Sequence, residues 1–143
     1  MTEEKKKEHN QNNRLSKEEI INQAISFQLR GRVSEAEKYY EFCIKKDFND
    51  PRVFCNYGVI LKNKGRLQEA EISIRKAINL KPDFAEAHLN LGAILKDIGN
   101  LYEAENSYRK AVELKPDFTS AHLNLGIILI DLGKLKEAEL SLR

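Results

Sequence analysis

Four asparagines share one column of the sequence, Asn22, Asn56, Asn90 and Asn124, evenly spaced along the chain. A carboxamide offers both a donor and an acceptor, so it pairs with the backbone of a polypeptide without reading its side chains. Repeated at a fixed period, four such groups make a ladder suited to an extended chain. The preceding residues, Ile21, Cys55, Leu89 and Leu123, are apolar, and apolar neighbours lower the local dielectric and strengthen such bonds. Further along lie Ile25, Val59, Ala93 and Ile127, then Gln28, Lys62, Lys96 and Ile130; Lys62 and Lys96, with Arg52, give this surface a mildly basic floor. The competing reading is structural: each asparagine bonds the backbone of the next repeat, or has simply been copied with it.

Other chemistries find less support. His88 and His122 stand the same interval apart and no carboxylate or cysteine cluster joins them, so they read as structural or surface residues, and no metal site is expected. Asp97 and Asp131 occupy another repeat column, whereas acid–base catalysis needs a cleft and a nonrepeated partner. Neither GxxxxGK[ST] nor GxGxxG occurs. Cys43 and Cys55 form no CxxC and read as small apolar residues of a reducing compartment. A net charge of +2 predicts no strong attraction to nucleic acid or anionic lipid. No run of eighteen apolar residues and no apolar signal core are present, so the expected location is cytoplasmic, with no membrane partner and no cofactor.

These columns need elements to position them. Residues 1–16 are almost wholly polar and cannot bury enough apolar surface to offset chain entropy, so they read as a disordered arm. From residue 17 the chain is periodic: Gly31, Gly65, Gly99 and Gly133, and Ala36, Ala70, Ala104 and Ala138, recur at the interval of the asparagines, and KPDF occurs at 81–84 and 115–118. Each unit carries two helical patterns. In the third, Leu91, Ile94, Leu95 and Ile98 lead to Gly99, and Leu101, Ala104, Tyr108, Ala111 and Leu114 lead to Pro116. Asp50-Pro51 opens the second unit as an N-cap followed by a first-turn proline. A glycine in mid-helix is unfavourable by about 1 kcal/mol relative to alanine, so Gly58, Gly92 and Gly126 predict close approach of the paired helix.

The pattern Leu89-Asn90-Leu91-Gly92, Leu95, Gly99, Glu103-Ala104, Tyr108, Ala111 and Pro116 resembles the tetratricopeptide repeat (TPR) family. The resemblance implies an all-α, right-handed solenoid of about three and a half repeats, placed at 17–50, 51–84, 85–118 and an incomplete 119–143. The first unit departs from the pattern, with Gln23-Ala24 for Leu-Gly and Phe48 in place of proline, as suits a solenoid end. The last stops within its second helix and exposes Leu135, Leu140 and Leu142, which points to a longer protein or to self-association through that end.

The resemblance further implies a non-catalytic protein–protein interaction scaffold, its first helices lining a concave groove for a peptide or partner helix. The expected contacts are Asn22, Asn56, Asn90, Asn124, Arg52, Lys62, Lys96, Leu89 and Leu123. A similar asparagine ladder is a feature of the TPR arm of O-linked N-acetylglucosamine transferase, where it holds substrate polypeptide. The alternative is therefore a substrate-recruiting segment of a larger enzyme, such as a glycosyltransferase, with its catalytic domain beyond residue 143. A carboxylate clamp, which sets lysines beside the asparagines, is disfavoured by the apolar residues found there.

Overall fold

A computed structural model of the chain describes residues 2–3, 15–133 and 135–142, with backbone alone over 135–138. The polar arm expected over 1–16 lies largely outside the described residues. Among these, secondary structure is helical, and two compact units divide the chain at residues 49 and 50.

Unit 1 holds one hairpin, α1 (Lys17–Leu29) and α2 (Val33–Lys45). Ser16 starts α1 as an N-cap, its hydroxyl accepting from the Glu19 amide at 3.1 Å. Ile20, Ile21 and Ala24 of α1 bury with Ala36, Tyr40 and Cys43 of α2. The Tyr40 hydroxyl donates to Gln28 Oε1 at 2.6 Å, which gives the buried ring's polar end a partner.

Unit 2 stacks three hairpins: α3 (Pro51–Asn63) with α4 (Leu67–Leu80), α5 (Ala85–Ile98) with α6 (Leu101–Leu114), and α7 (Thr119–Asp131) with α8 (Leu135–Leu142). The fold is a helical-repeat solenoid, each hairpin burying its apolar face on the next. Leu61, Ile74, Leu91, Leu95, Tyr108, Leu125 and Leu129 form a continuous core across the hairpins. Asp50 caps α3 as expected, Oδ1 accepting from the Arg52 amide at 2.9 Å with Pro51 in the first turn.

The glycine columns do the two jobs expected of them. Gly65, Gly99 and Gly133 take φ between 75° and 96°, a left-handed conformation that L side chains rarely adopt. The residue after the first two then bonds back into the helix, Arg66 N–H to Leu61 and Asn100 N–H to Leu95, both at 2.9 Å. The mid-helix glycines meet the paired helix: a Cβ at Gly58 would lie 2.6 Å from Ile74, at Gly92 2.5 Å from Tyr108 and at Gly126 2.8 Å from Leu142.

The connections between hairpins explain the histidines. In each KPDF turn the phenylalanine amide bonds the lysine carbonyl, and the lysine ammonium sits over the phenylalanine ring, 5.1 Å at Phe84 and 4.8 Å at Phe118. One turn into the following helix, His88 Nε2 donates to the Pro82 carbonyl at 2.9 Å and His122 Nε2 to the Pro116 carbonyl at 2.7 Å. A carbonyl only accepts, so the proton sits on Nε2. These are turn-locking residues.

Candidate functional site

The asparagine column of unit 2 lies on α3, α5 and α7, which touch in sequence order. Asn56, Asn90 and Asn124 are each half-buried. Asn90 donates from Nδ2 to the Cys55 sulfur at 3.5 Å. Sulfur is a weak acceptor, and the Asn90 carbonyl oxygen is left over. Among the described residues the side chains of Asn56 and Asn124 have no hydrogen-bond partner. The neighbour's backbone, the structural alternative for this column, takes no bond from these two. Asn22 is exposed on α1, within unit 1.

The apolar residues beside the ladder divide. Leu89 is half-buried and Leu123 is 50% exposed, so both offer apolar surface. Cys55 is buried in the same cluster as Ala87 and Leu91 of α5 and Ile21 is buried in unit 1, so neither faces outward. Burial pushes the Cys55 thiol up to about 11, outweighing the opposing pull of the Asn90 hydrogen bond. It is an inert thiol at neutral pH.

The three basic residues also differ. Arg52 folds back on the cap of its own helix, Nη2 to Asp50 Oδ2 at 2.8 Å and Nε to Oδ1 at 3.0 Å. This guanidinium holds the Asp50 carboxyl below its usual range. Lys62 pairs across helices with Asp97 at 3.7 Å. Lys96, half-buried on α5, has no ion-pair partner among the described residues. The Lys62–Asp97 pair escaped the sequence reading, although both residues stood in it; the hint was a separation one residue longer than the repeat. No group of three or more His, Cys, Asp or Glu among the described residues is placed to hold a metal, and no described helix is long and apolar enough to cross a membrane.

Two family profiles, each described as tetratricopeptide repeat, match residues 51–84 and 85–118. The chain is a tetratricopeptide-repeat protein. Its fold is similar to that of several solved structures. The crystal structure of MamA superposes with a TM-score of 0.84 at 20% identity, covering 95% of this chain and 80% of that one. The first TPR of Spaghetti (RPAP3) bound to the HSP90 peptide SRMEEVD gives 0.74 at 22% identity, over 80% of this chain and 90% of that one. The O-GlcNAc transferase of Thermobaculum terrenum gives 0.75 at 26% identity, over 79% of this chain but only 22% of the transferase. No curated protein sequence matches this one.

Proposed function

We propose that this TPR chain is a non-catalytic interaction scaffold that holds a polypeptide along α3, α5 and α7. The observation that carries the reading is the pair of half-buried carboxamides, Asn56 and Asn124, with no partner in the described structure. Half-burial limits competition from water, and a ligand backbone supplies the acceptor and donor the protein leaves out. Asn90 adds a third rung, Leu89 and Leu123 add apolar contact, and Lys96 adds an available cation beside Lys62. Arg52 already serves the α3 cap and is the weakest member of the set. The peptide-bound TPR among the similar folds supports a peptide as ligand. Lysines are missing from the positions beside the asparagines, so recognition rests on ligand backbone rather than on a terminal carboxylate.

The triple variant Asn56→Ala, Asn90→Ala, Asn124→Ala tests this reading. Displayed libraries of unstructured random peptides enrich binders on the native chain and lose them on the variant, while circular dichroism shows unchanged helicity. Equal enrichment on both proteins refutes the ladder.

A second reading has support in the likeness to the O-GlcNAc transferase, of which a chain like this spans a fifth: the scaffold recruits substrate for an enzyme. Detection in source cells of an immunoreactive product far above 16.5 kDa supports that arm.

A further inference from the structure

The rungs of the ladder have a spacing, and a ligand backbone has to match it. α3 touches α5 and α5 touches α7, and helices in contact lie about 8–10 Å apart. Asn90 reaches back at 3.5 Å to Cys55, the residue before Asn56, so neighbouring carboxamides stand roughly one helix spacing apart. Each polypeptide conformation repeats at its own interval. A β-strand turns the same edge outward at every second residue, about 6.4–6.8 Å, and an α-helix rises about 5.4 Å per turn. A polyproline II helix has three residues per turn and a rise of about 3.1 Å, so the same face returns about every 9.3 Å. Of the three, only this last interval falls within the spacing of the first helices. From Asn56 to Asn124, two steps of about 16–20 Å in all, it needs six residues and about 19 Å. A β-strand advancing three residues per step would turn opposite edges to successive rungs, and Asn90 would meet the wrong one.

Resting on the ladder reading, we infer that the ligand is a polyproline II segment of period X-Pro-Pro, whose X residues pair in turn with Asn56, Asn90 and Asn124. Hydrogen bonding selects the same conformation as the spacing. Polyproline II has no internal hydrogen bonds, so its N–H and C=O groups stay open to a carboxamide. Asn56 and Asn124 have no partner among the described residues, and Asn90 keeps its carbonyl oxygen and a second N–H beside the one given to Cys55. One ligand residue per turn meets a rung, and the two between meet none. Proline has no N–H to leave unpaired at those two positions, and it fixes the backbone near the bound conformation. Such a chain is pre-organised and loses little freedom on binding. One helical turn along from the carboxamides lie Val59 and Ala93, both half-buried, and Ile127, 36% exposed, apolar side chains on which proline rings can rest. The ladder thus reads the period of its ligand and leaves the identity of X open.

Labelled peptides of equal length test the period by fluorescence anisotropy on the full chain. The first repeats Ala-Pro-Pro. The second sets alanine at every fourth position among prolines, which keeps the helix and breaks the step. The third is a glycine–serine chain with an N–H at every residue and no preformed helix. The Ala-Pro-Pro peptide is expected to bind saturably, at least tenfold tighter than either control. Asn56→Ala, Asn90→Ala and Asn124→Ala, made singly, each weaken it severalfold, because all three rungs are in step with it. Equal binding of the first two peptides overturns the inference, as does indifference to Asn90→Ala or undiminished binding to the triple variant. Failure of the ladder reads differently. If random peptides lose binding on the triple variant while Ala-Pro-Pro binds no better than its controls, the ladder stands and the polyproline II period falls.

Discussion

Gly92 and Gly126 occupy the same repeat position and face different neighbours, so the same substitution has opposite consequences at the two. A methyl group at Gly92 would lie 2.5 to 2.9 Å from three atoms of the Tyr108 ring, which is itself only 2% exposed and has no room to turn. At Gly126 the methyl meets the side chain of Leu142, which is 51% exposed and free to move aside. Alanine gains about 1 kcal/mol over glycine in a helix, and overpacking a rigid core costs about 1–3 kcal/mol. Gly92→Ala is therefore expected to lower stability by about 1–2 kcal/mol, and Gly126→Ala to leave it unchanged or raise it by up to about 1 kcal/mol. Urea denaturation of the two variants reads both; destabilisation of equal size would show that packing against the paired helix does not decide the glycine's role. The asparagine column teaches the same lesson. Asn90 and Asn124 share the stretch Ala-His-Leu-Asn-Leu-Gly, yet Asn90 touches the Cys55 sulfur and Asn124 has no partner among the described residues.

At the scale of the element, α3 depends on a cap that doubles as an ion pair. Asp50 accepts from the Arg52 amide and from its guanidinium, and the side-chain bond is the main reason its carboxyl stays charged to lower pH than usual. A depressed carboxyl pKa stabilises the folded state fully above the unfolded value, near 4, and that stability is lost as pH falls through the lower folded value. Asp50→Ala should then cost about 1 kcal/mol at pH 7 and almost nothing at pH 2, measured by denaturation at both. A penalty independent of pH would leave the charge without a role. Helices and their ends were legible in the sequence because local chemistry sets them: Asp50-Pro51 starts a helix and Gly99 ends one wherever they occur. The lateral register was not, since the offset between Lys62 and Asp97, one residue longer than the repeat, arises from packing two helices side by side. Burial within a column was equally hidden. Cys55, Leu89 and Leu123 look equivalent, but Cys55 joins a cluster with α5 whereas Leu123 has no described helix over it.

For the molecule as a whole, the stability of unit 2 is a property of the stack. A single hairpin of two helices of 14 residues, such as α5 with α6, is marginal alone, because isolated helices shorter than about 12–15 residues barely form in water. What holds them is the core that runs from Leu61 and Ile74 through Leu95 and Tyr108 to Leu125 and Leu129, each hairpin completing its neighbour's apolar face. Nearest-neighbour coupling of this kind makes the fragment 50–143 fold without residues 1–49, with one cooperative transition in urea and a helical circular dichroism spectrum. The isolated hairpin 85–118 contains the best-formed glycine, alanine and proline columns of the chain, yet it lacks α4 and α7, whose Ile74, Leu125 and Leu129 share one core with Leu91 and Leu95. Its spectrum is expected to show weak helicity and a gradual, non-cooperative melt. A sharp transition in that single-hairpin peptide would place the stability within the repeat instead of between repeats, and the ladder would then rest on three independent supports.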